Sequence, residues 1–572
     1  MGKILTLHDP HSARAHYLSG AWRHDTMYGL LCKHAAERGD AFALRDAGRR
    51  LTWSELRASV DRVAHELDRA GLREGDRVSV WLPNRVEVTI VFLACSRNGY
   101  VCNPSLHQNY TVDEIAGLLA SIDCRALVAQ VGYGADADRH DIFSRARRIG
   151  SIKAVYALTD SGAPAGLPAG ALPFPGDPLT GNPLTGNPLE ASPPPGKIAP
   201  ALTDPDKIVY LAFTSGTTGR PKGVMHSDNT LLANGRAMVA DWGHDERTVL
   251  LSLSPMSHHI GTVALEQSLA AGCELVMTDP RAGIQPIDWI EQTAATYVMG
   301  VPTHAMDLLQ SMDARGQPGL GRVAVFYMAG SPIPRETASR FLQLGITPQN
   351  IYGMTENGSH QYTQPTDDTE TITGTCGRAC NGYEVRLWKQ DNPDVEAEPG
   401  EIGEIGGRGG LLMLGYFANQ AATEQSFNAH GWFMSGDLGR FDERGNLQIV
   451  GRKKDLIIRG GHNIYPARIE DLAHRHPNVA KAAAFPVADE RLGERVCLAV
   501  IPEGSAPAPE AMLAHLFDAG LSKYDMPEYY IVLPDFPLTP SGKILKRELF
   551  EWAKSGRIAP QPVRWQPKTQ EA

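Results

Sequence analysis

The stretch from Ile208 to Gly223 constrains this chain more than any other. An apolar run, Ile208–Phe213, reads as a strand, and Thr214-Ser215-Gly216-Thr217-Thr218-Gly219-Arg220-Pro221-Lys222-Gly223 follows it at once. Three glycines let the backbone bend and approach an anion, hydroxyls and free N–H groups supply donors, and Lys222 adds a cation. Such a loop cradles phosphate at the end of a strand; a solvated turn is the plain alternative. It is not a Walker A loop, because G-x-x-x-x-G-K-[ST] is absent and proline precedes the lysine.

The rest of the chain fits an α/β protein around that loop. Met27–Arg38 reads as an amphipathic helix, Ser54–Ala70 as a helix capped by Ser54, Arg77–Leu82 as a strand and Val86–Arg97 as a packed helix. Strands alternating with helices predict parallel pairing. From 163 to 200 the pattern breaks. Gly176-Asp-Pro-Leu-Thr, Gly181-Asn-Pro-Leu-Thr and Gly186-Asn-Pro-Leu-Glu repeat, and Pro193-Pro194-Pro195 follows. A mobile surface loop is expected there. Dense α/β patterning returns from Asp206 to Val450. A boundary is expected near Gly451–Asp455. Beyond it, Ala480–Val487 and Val496–Ile501 read as buried strands and Pro509–Ala519 as a helix.

Composition closes off several function classes. With 572 residues the chain is too long for one ordinary domain, and about three to five units are expected. A net charge of −10 excludes a globally basic nucleic-acid coat. Eight scattered cysteines suit a reducing cytosol rather than a disulfide scaffold. Cys376 and Cys380 lack a second pair at zinc-site spacing. No apolar run approaches the roughly 18 residues that would span a membrane, and the first residues show no signal-peptide core. The expected location is the cytoplasm.

With four further segments in order, the phosphate loop resembles that of the adenylate-forming superfamily, which includes acyl-CoA synthetases, luciferases and peptide-synthetase adenylation domains. The likeness runs from about Trp22 to about Trp552. It implies a large N-terminal α/β domain (1–453), a hinge at Lys454 and a small mobile C-terminal α+β domain (455–572). Tyr352-Gly353-Met354-Thr355-Glu356 resembles the adenine and magnesium motif. Tyr352 would stack on adenine, Thr355 would bond the α-phosphate, and Glu356 with Thr214 would hold Mg²⁺. Ala329-Gly330-Ser331-Pro332 resembles the segment lining the adenine face. Asp437, in Ser435-Gly436-Asp437, and Arg452 match the ribose-binding pair. Gly460-Gly461 would line the coenzyme A tunnel, while His462 departs from the family pattern and receives no role. Lys543, in Pro540-Ser541-Gly542-Lys543, would bridge the carboxylate and the α-phosphate.

On the acyl side, Pro255-Met256-Ser257-His258 resembles the P-x-x-H segment and sets His258 beside the substrate carboxylate. His259, Gly300, Val301 and Met328 would complete the pocket. Amino-acid-activating relatives place an aspartate just after this histidine; His259 and Ile260 stand here instead, which argues against an α-amino acid. The implied reaction is the ATP-dependent, AMP-forming ligation of a medium-chain, alicyclic or aromatic acid to coenzyme A. Its partners would be the acid, ATP, Mg²⁺ and coenzyme A, without nucleic acid or stable membrane insertion; a homodimer is left open. Two alternatives stay open as well: loading of a carrier-protein thiol, and a non-catalytic nucleotide sensor on the same fold.

Overall fold

The computed structural model describes residues 4–159, 166–175, 199–214, 221–331, 333–538 and 544–565. Strands separated by helices cannot pair as hairpins, so each crossover carries the chain over a sheet face to a parallel neighbour. Seven strands form the first sheet, in the order Leu172–Pro173, Ala154–Leu158, Cys124–Gln130, Arg77–Trp81, Val101–Asn103, Ile208–Thr214 and Lys222–Ser227. All neighbours are parallel except the last two, which form a hairpin with Thr214 opposite Lys222.

The second sheet has nine strands. Its parallel centre runs Thr347–Met354, Val325–Met328, Tyr297–Gly300, Val249–Ser252, Glu274–Met277 and Phe42–Arg45. Antiparallel strands close both edges: Arg50–Thr52 on one side, Gly358–Tyr362 and Arg378–Ala379 on the other.

One apolar cluster joins the two sheets through the helices Met27–Arg38, Trp53–Arg69, Val86–Asn98, Asp228–Trp242 and His259–Ala271. Val86–Asn98 shows what that middle layer demands. Its residues are buried from Val86 to Arg97, and its sequence is apolar around most of the circumference. Outer helices cover the far faces: Val112–Ser121 and Ile142–Ala146 on the seven-stranded sheet, Pro286–Thr293, Pro302–Ala314 and Arg335–Gln343 on the nine-stranded one. Five layers result. A third, antiparallel sheet of Tyr383–Trp388, Gly403–Gly409, Phe433–Phe441 and Leu447–Arg452 ends this large N-terminal α/β domain.

A short turn, Lys453–Asp455, leads into a smaller C-terminal α+β domain. Its sheet pairs Val479–Asp489 with Gly493–Pro502 as a long hairpin, backed by Pro466–His474, Pro509–Asp518 and Lys546–Lys554. Among the described residues no apolar cluster contains side chains from both sides of this turn.

Two sequence expectations need correction. The helix read from Ser54 starts at Trp53, and Thr52 caps it: Thr52 Oγ1 accepts the Glu55 N–H while Glu55 Oε2 accepts the Thr52 N–H. Thr52 wins because Glu55 stands three residues on, as a reciprocal cap requires, whereas Arg57 stands three after Ser54. Within 163–200, Leu172–Pro173 is an edge strand beside Ala154–Leu158, and Phe174 is buried in the central cluster. The repeat over 176–190 and the proline run lie outside the described residues.

Candidate active site

The site is built where strand ends of all three N-terminal sheets converge. The turn after Thr347–Met354 is pinned from three directions. Asn357 Oδ1 accepts the Met354 N–H, at 3.2 Å. Gly353 lies so close to the returning strand that a Cβ there would sit 1.9 Å from the Gly358 carbonyl oxygen. His226 Nε2 donates to the Thr355 carbonyl oxygen at 2.7 Å, while Nδ1 meets Thr230 Oγ1 at 3.0 Å. Burial pushes the His226 imidazole down to about 4, so the ring is neutral and Nε2 carries its one proton. Thr355 and Glu356 therefore project from a fixed turn. Gly353→Ala is expected to cost on the order of 1–3 kcal/mol through overpacking, read as a lowered midpoint in a denaturant melt. A midpoint equal to wild type would show that the turn yields.

Opposite this turn stands the mouth of the phosphate-loop hairpin. Gly223 allows its closure, since a Cβ there would lie 2.9 Å from Leu211 Cδ1. Tyr416 fills the space between the two. Its hydroxyl donates to Glu356 Oε1 at 3.0 Å, and Lys222 Nζ lies 4.5 Å from the centre of its ring.

The third wall comes from the antiparallel sheet, where Asp437 pairs with Arg452 in register. Arg452 Nε forms an ion pair with Asp437 Oδ1 at 3.1 Å, and the Tyr352 hydroxyl donates to Oδ2 at 3.0 Å. Glu404 steadies the approach: it accepts the Gly436 N–H at 3.2 Å and pairs with Lys453 at 2.9 Å. Lys454 follows at the turn between the domains. Burial, with Arg452 close by, lowers its pKa.

These walls enclose a cleft of about 590 Å³. Thr214, Lys222, His258, His259, Gly330, Gly353, Thr355, Glu356, Asp437, Arg452 and Lys454 all line it. His258 caps the helix His259–Ala271, with Nδ1 accepting the Ile260 N–H at 3.3 Å. His259 Nδ1 lies 3.3 Å from the Tyr210 hydroxyl, and burial holds its pKa well below the usual imidazole range. Gly330 adopts a left-handed φ of +94°, a backbone conformation that favours glycine, beside Val301 and Ile260.

Other expected residues fall elsewhere. Met328 is fully buried among Phe326, Phe341 and Leu308 on the far side of its sheet. Side chains alternate along a strand, so its neighbours Tyr327 and Ala329 face the cleft in its place. Tyr352 is 8% exposed and packs with Leu387, Ile405 and Leu447. Its hydroxyl holds Asp437, and it is not among the residues that line the cleft. Gly300 ends its strand against His304, and Ser331 is exposed outside the cleft wall. Gly460 and Gly461, at φ +58° and +86°, form the turn before His462–Ile464 in the small domain, away from the cleft lining. His462 Nε2 pairs there with Asp525 at 2.7 Å. Ser215, Gly216, Thr217, Thr218, Gly219 and Lys543 lie outside the described residues.

Sequence reading missed Ser105, His107, Tyr210, His226, Glu404 and Tyr416. A signal existed for His226, which shares the strand Lys222–Ser227 and the same alternation as Lys222. Tyr210 likewise shares the strand Ile208–Thr214 and the alternation of Thr214, and the other four arrive from distant segments without a local pattern.

The model of the AMP-binding enzyme family matches residues 31–417. The chain belongs to the AMP-binding enzymes. The C-terminal domain model of these enzymes matches residues 468–543. Family members similar to this chain include the medium-chain fatty-acid–CoA ligase of Escherichia coli K12, 29% identical over 96% of this chain and 93% of the relative. ATP-bound MatB from Rhodopseudomonas palustris superposes with a TM-score of 0.76 at 29% identity, covering 93% of this chain and all of that one. O-succinylbenzoate coenzyme A synthetase from Bacillus subtilis, in complex with ATP and magnesium ion, superposes at 0.75 with 25% identity, over 91% and 98%.

The donor set fits magnesium. Glu356 and Thr214 offer hard oxygens to one cleft. Among the described residues no group of three His, Cys, Asp or Glu side chains is placed to hold a metal alone. Among the described residues no helix is long and apolar enough to cross a membrane.

Proposed function

We propose that this chain is an AMP-forming acyl-CoA ligase, joining a hydrophobic carboxylic acid to coenzyme A through an acyl-adenylate. The observation that carries the reading is the convergence, in one cleft, of Thr214 and Lys222, the Thr355-Glu356 turn, the Asp437–Arg452 pair and His258. The E. coli relative's name supports a medium-chain acid.

The residues divide the work by chemistry. Asp437 takes the ribose hydroxyls, steered by Arg452 and the Tyr352 hydroxyl. Thr214, Lys222 and the 215–219 loop take the phosphates, with Thr355 on the α-phosphate. Glu356 and Thr214 hold Mg²⁺, which offsets phosphate charge when bound. His258 faces the substrate carboxylate, and His259, Ile260, Val263, Tyr327, Ala329, Gly330 and Val301 shape the space behind it.

A carboxylate oxygen attacks the α-phosphorus, the bond to pyrophosphate breaks, and acyl-adenylate forms. Holding two anions in line supplies much of the gain. Lys543 offsets charge at this step. The small domain then turns about Lys454, bringing the Gly460-Gly461 turn to the cleft. The coenzyme A thiolate attacks the carbonyl carbon and AMP leaves. We place this chemistry in the cytoplasm.

The test is to incubate the protein with ATP, Mg²⁺, coenzyme A and pooled fatty, alicyclic, aryl and bile-type acids, then detect products by mass spectrometry. Thioesters of medium-chain, alicyclic or aromatic acids are expected. Adenylate without thioester would move the acceptor to a carrier-protein thiol, and absence of both would refute the reaction.

A further inference from the structure

We infer that Tyr416 is a positioning residue for the adenylation half-reaction: it sets the separation and orientation of Glu356 and Lys222, the acidic and basic groups that meet the triphosphate from opposite sides. This rests on the reading of the cleft as an ATP site. Tyr416 touches both groups at once, the carboxylate through its hydroxyl at 3.0 Å and the ammonium through its ring face at 4.5 Å.

The backbone around it is braced in the same two directions. Phe417 N–H donates to the Gly223 carbonyl at 2.7 Å, Met225 N–H to Gly415 at 3.1 Å and Leu414 N–H to Met225 at 2.8 Å, so the segment is laced to the strand carrying Lys222. Met413 N–H donates to the Glu356 carbonyl at 2.7 Å, which ties the same segment to the acidic turn. Thr423 Oγ1 accepts the Tyr416 N–H at 3.0 Å and fixes where the side chain leaves the backbone. Tyr416 is 6% exposed and lines the cleft, so its ring has little freedom to swing away. Lys222 lies on the seven-stranded sheet and Glu356 in the turn between two strands of the nine-stranded one, and through these contacts Tyr416 spans the gap between them. A carboxylate that must present oxygens to a hard cation gains from a fixed rotamer, because a freely turning one must be ordered each time the ion binds.

Tyr416→Phe removes the hydroxyl and keeps the ring; Tyr416→Leu removes both. Two half-reactions are measured separately: pyrophosphate release from acid and ATP across a Mg²⁺ titration, and thioester formation from synthetic acyl-adenylate and coenzyme A. For Tyr416→Phe we expect about a tenfold higher Mg²⁺ midpoint and about tenfold slower pyrophosphate release, the size of one lost charge-assisted hydrogen bond. Thioester formation should stay within about twofold of wild type, and Tyr416→Leu should lose more of the first half-reaction. In a Glu356→Gln background, Tyr416→Phe should add less than about twofold, because the hydroxyl acts through that carboxylate.

Equal losses in both half-reactions would reduce Tyr416 to a packing residue and overturn the inference. So would an unchanged Mg²⁺ midpoint or full additivity with Glu356→Gln. If wild type releases no pyrophosphate with any acid, the ligase reading fails, yet calorimetric ATP affinity with and without Mg²⁺ still decides Tyr416. The gain that Mg²⁺ gives should shrink about tenfold in Tyr416→Phe, and an undiminished gain would refute it.

Discussion

Lys543→Ala is expected to slow acyl-adenylate formation by about 10²–10³-fold while leaving transfer from supplied acyl-adenylate to coenzyme A nearly intact. The reason is how little uncommitted positive charge the described residues bring to the cleft. Among the described residues its lysines and arginines are Lys222, Arg452, Lys453 and Lys454. Arg452 is engaged with Asp437 and Lys453 with Glu404. Burial pushes His107 down to about 4 and His259 well below the usual imidazole range, so neither brings charge at neutral pH. A carboxylate moving onto a triphosphate therefore meets strong repulsion with Lys222 and Lys454 as the remaining lysines. One added cation about 4 Å from the developing charge is worth roughly 4 kcal/mol at an effective dielectric near 20, or about a thousandfold in rate. The second half-reaction moves a thiolate onto a carbonyl after pyrophosphate has gone, and it does not need that charge. Rapid-mix measurement of pyrophosphate release, beside transfer from synthetic acyl-adenylate, separates the two. Adenylation within about threefold of wild type would remove Lys543 from the chemistry.

Why some of this was legible in the sequence and some was not comes down to range. Met27–Arg38 is a helix over the residues expected, and Val86–Arg97 gains only Asn98, because apolar spacing within one turn carries the information. The strand read over Ile208–Phe213 extends to Thr214 for the same reason. Thr214, Lys222, Thr355, Glu356, Asp437 and Arg452 each sit in a short segment with glycine or charge at a tell-tale spacing, and the cleft gathers all six. Met328 was misread because one residue along a strand reverses the face, and the motif alone does not say which face is wet. The burial of Tyr352 leaves no mark in its own segment, because it depends on Leu387, Ile405 and Leu447, which come from the third sheet. Tyr416 and Glu356 stand sixty positions apart and meet only through tertiary packing. The five-layer arrangement is likewise invisible locally, since nothing within one helix says which two sheets will enclose it.

The enclosing layers have a polar fastening, and it carries the second large effect. Glu87, in the first turn of the helix between the sheets, has a side chain with no exposure at all. Arg49 grips it through Nη1 and Nη2 at 2.6 Å each, and Arg85 through Nε at 2.8 Å and Nη2 at 3.1 Å. Asp46 joins Arg49 at 3.1 Å and accepts the Val86 N–H at 3.0 Å, while Arg85 Nη1 reaches Gln130 Oε1 at 2.8 Å. The network thus ties the edge of the nine-stranded sheet to the helix and on to the seven-stranded sheet. Desolvation alone would raise the Glu87 pKa, but Arg85 and Arg49 outweigh it and hold the group at about 2. Glu87→Gln keeps the shape and removes the charge, leaving two arginines around a neutral amide. A loss of about 3–5 kcal/mol is expected at pH 7 in urea unfolding.

Acid should act on the same bond. The folded pKa lies below the ordinary value, so the stabilisation is complete above about pH 4.5 and is lost as pH falls toward about 2, when the unfolded chain takes up the proton first. Over that window wild type should lose up to about 3 kcal/mol that Glu87→Gln, already without the charge, does not lose. Parallel acid titrations of stability for the two proteins would refute the assignment of that proton to Glu87.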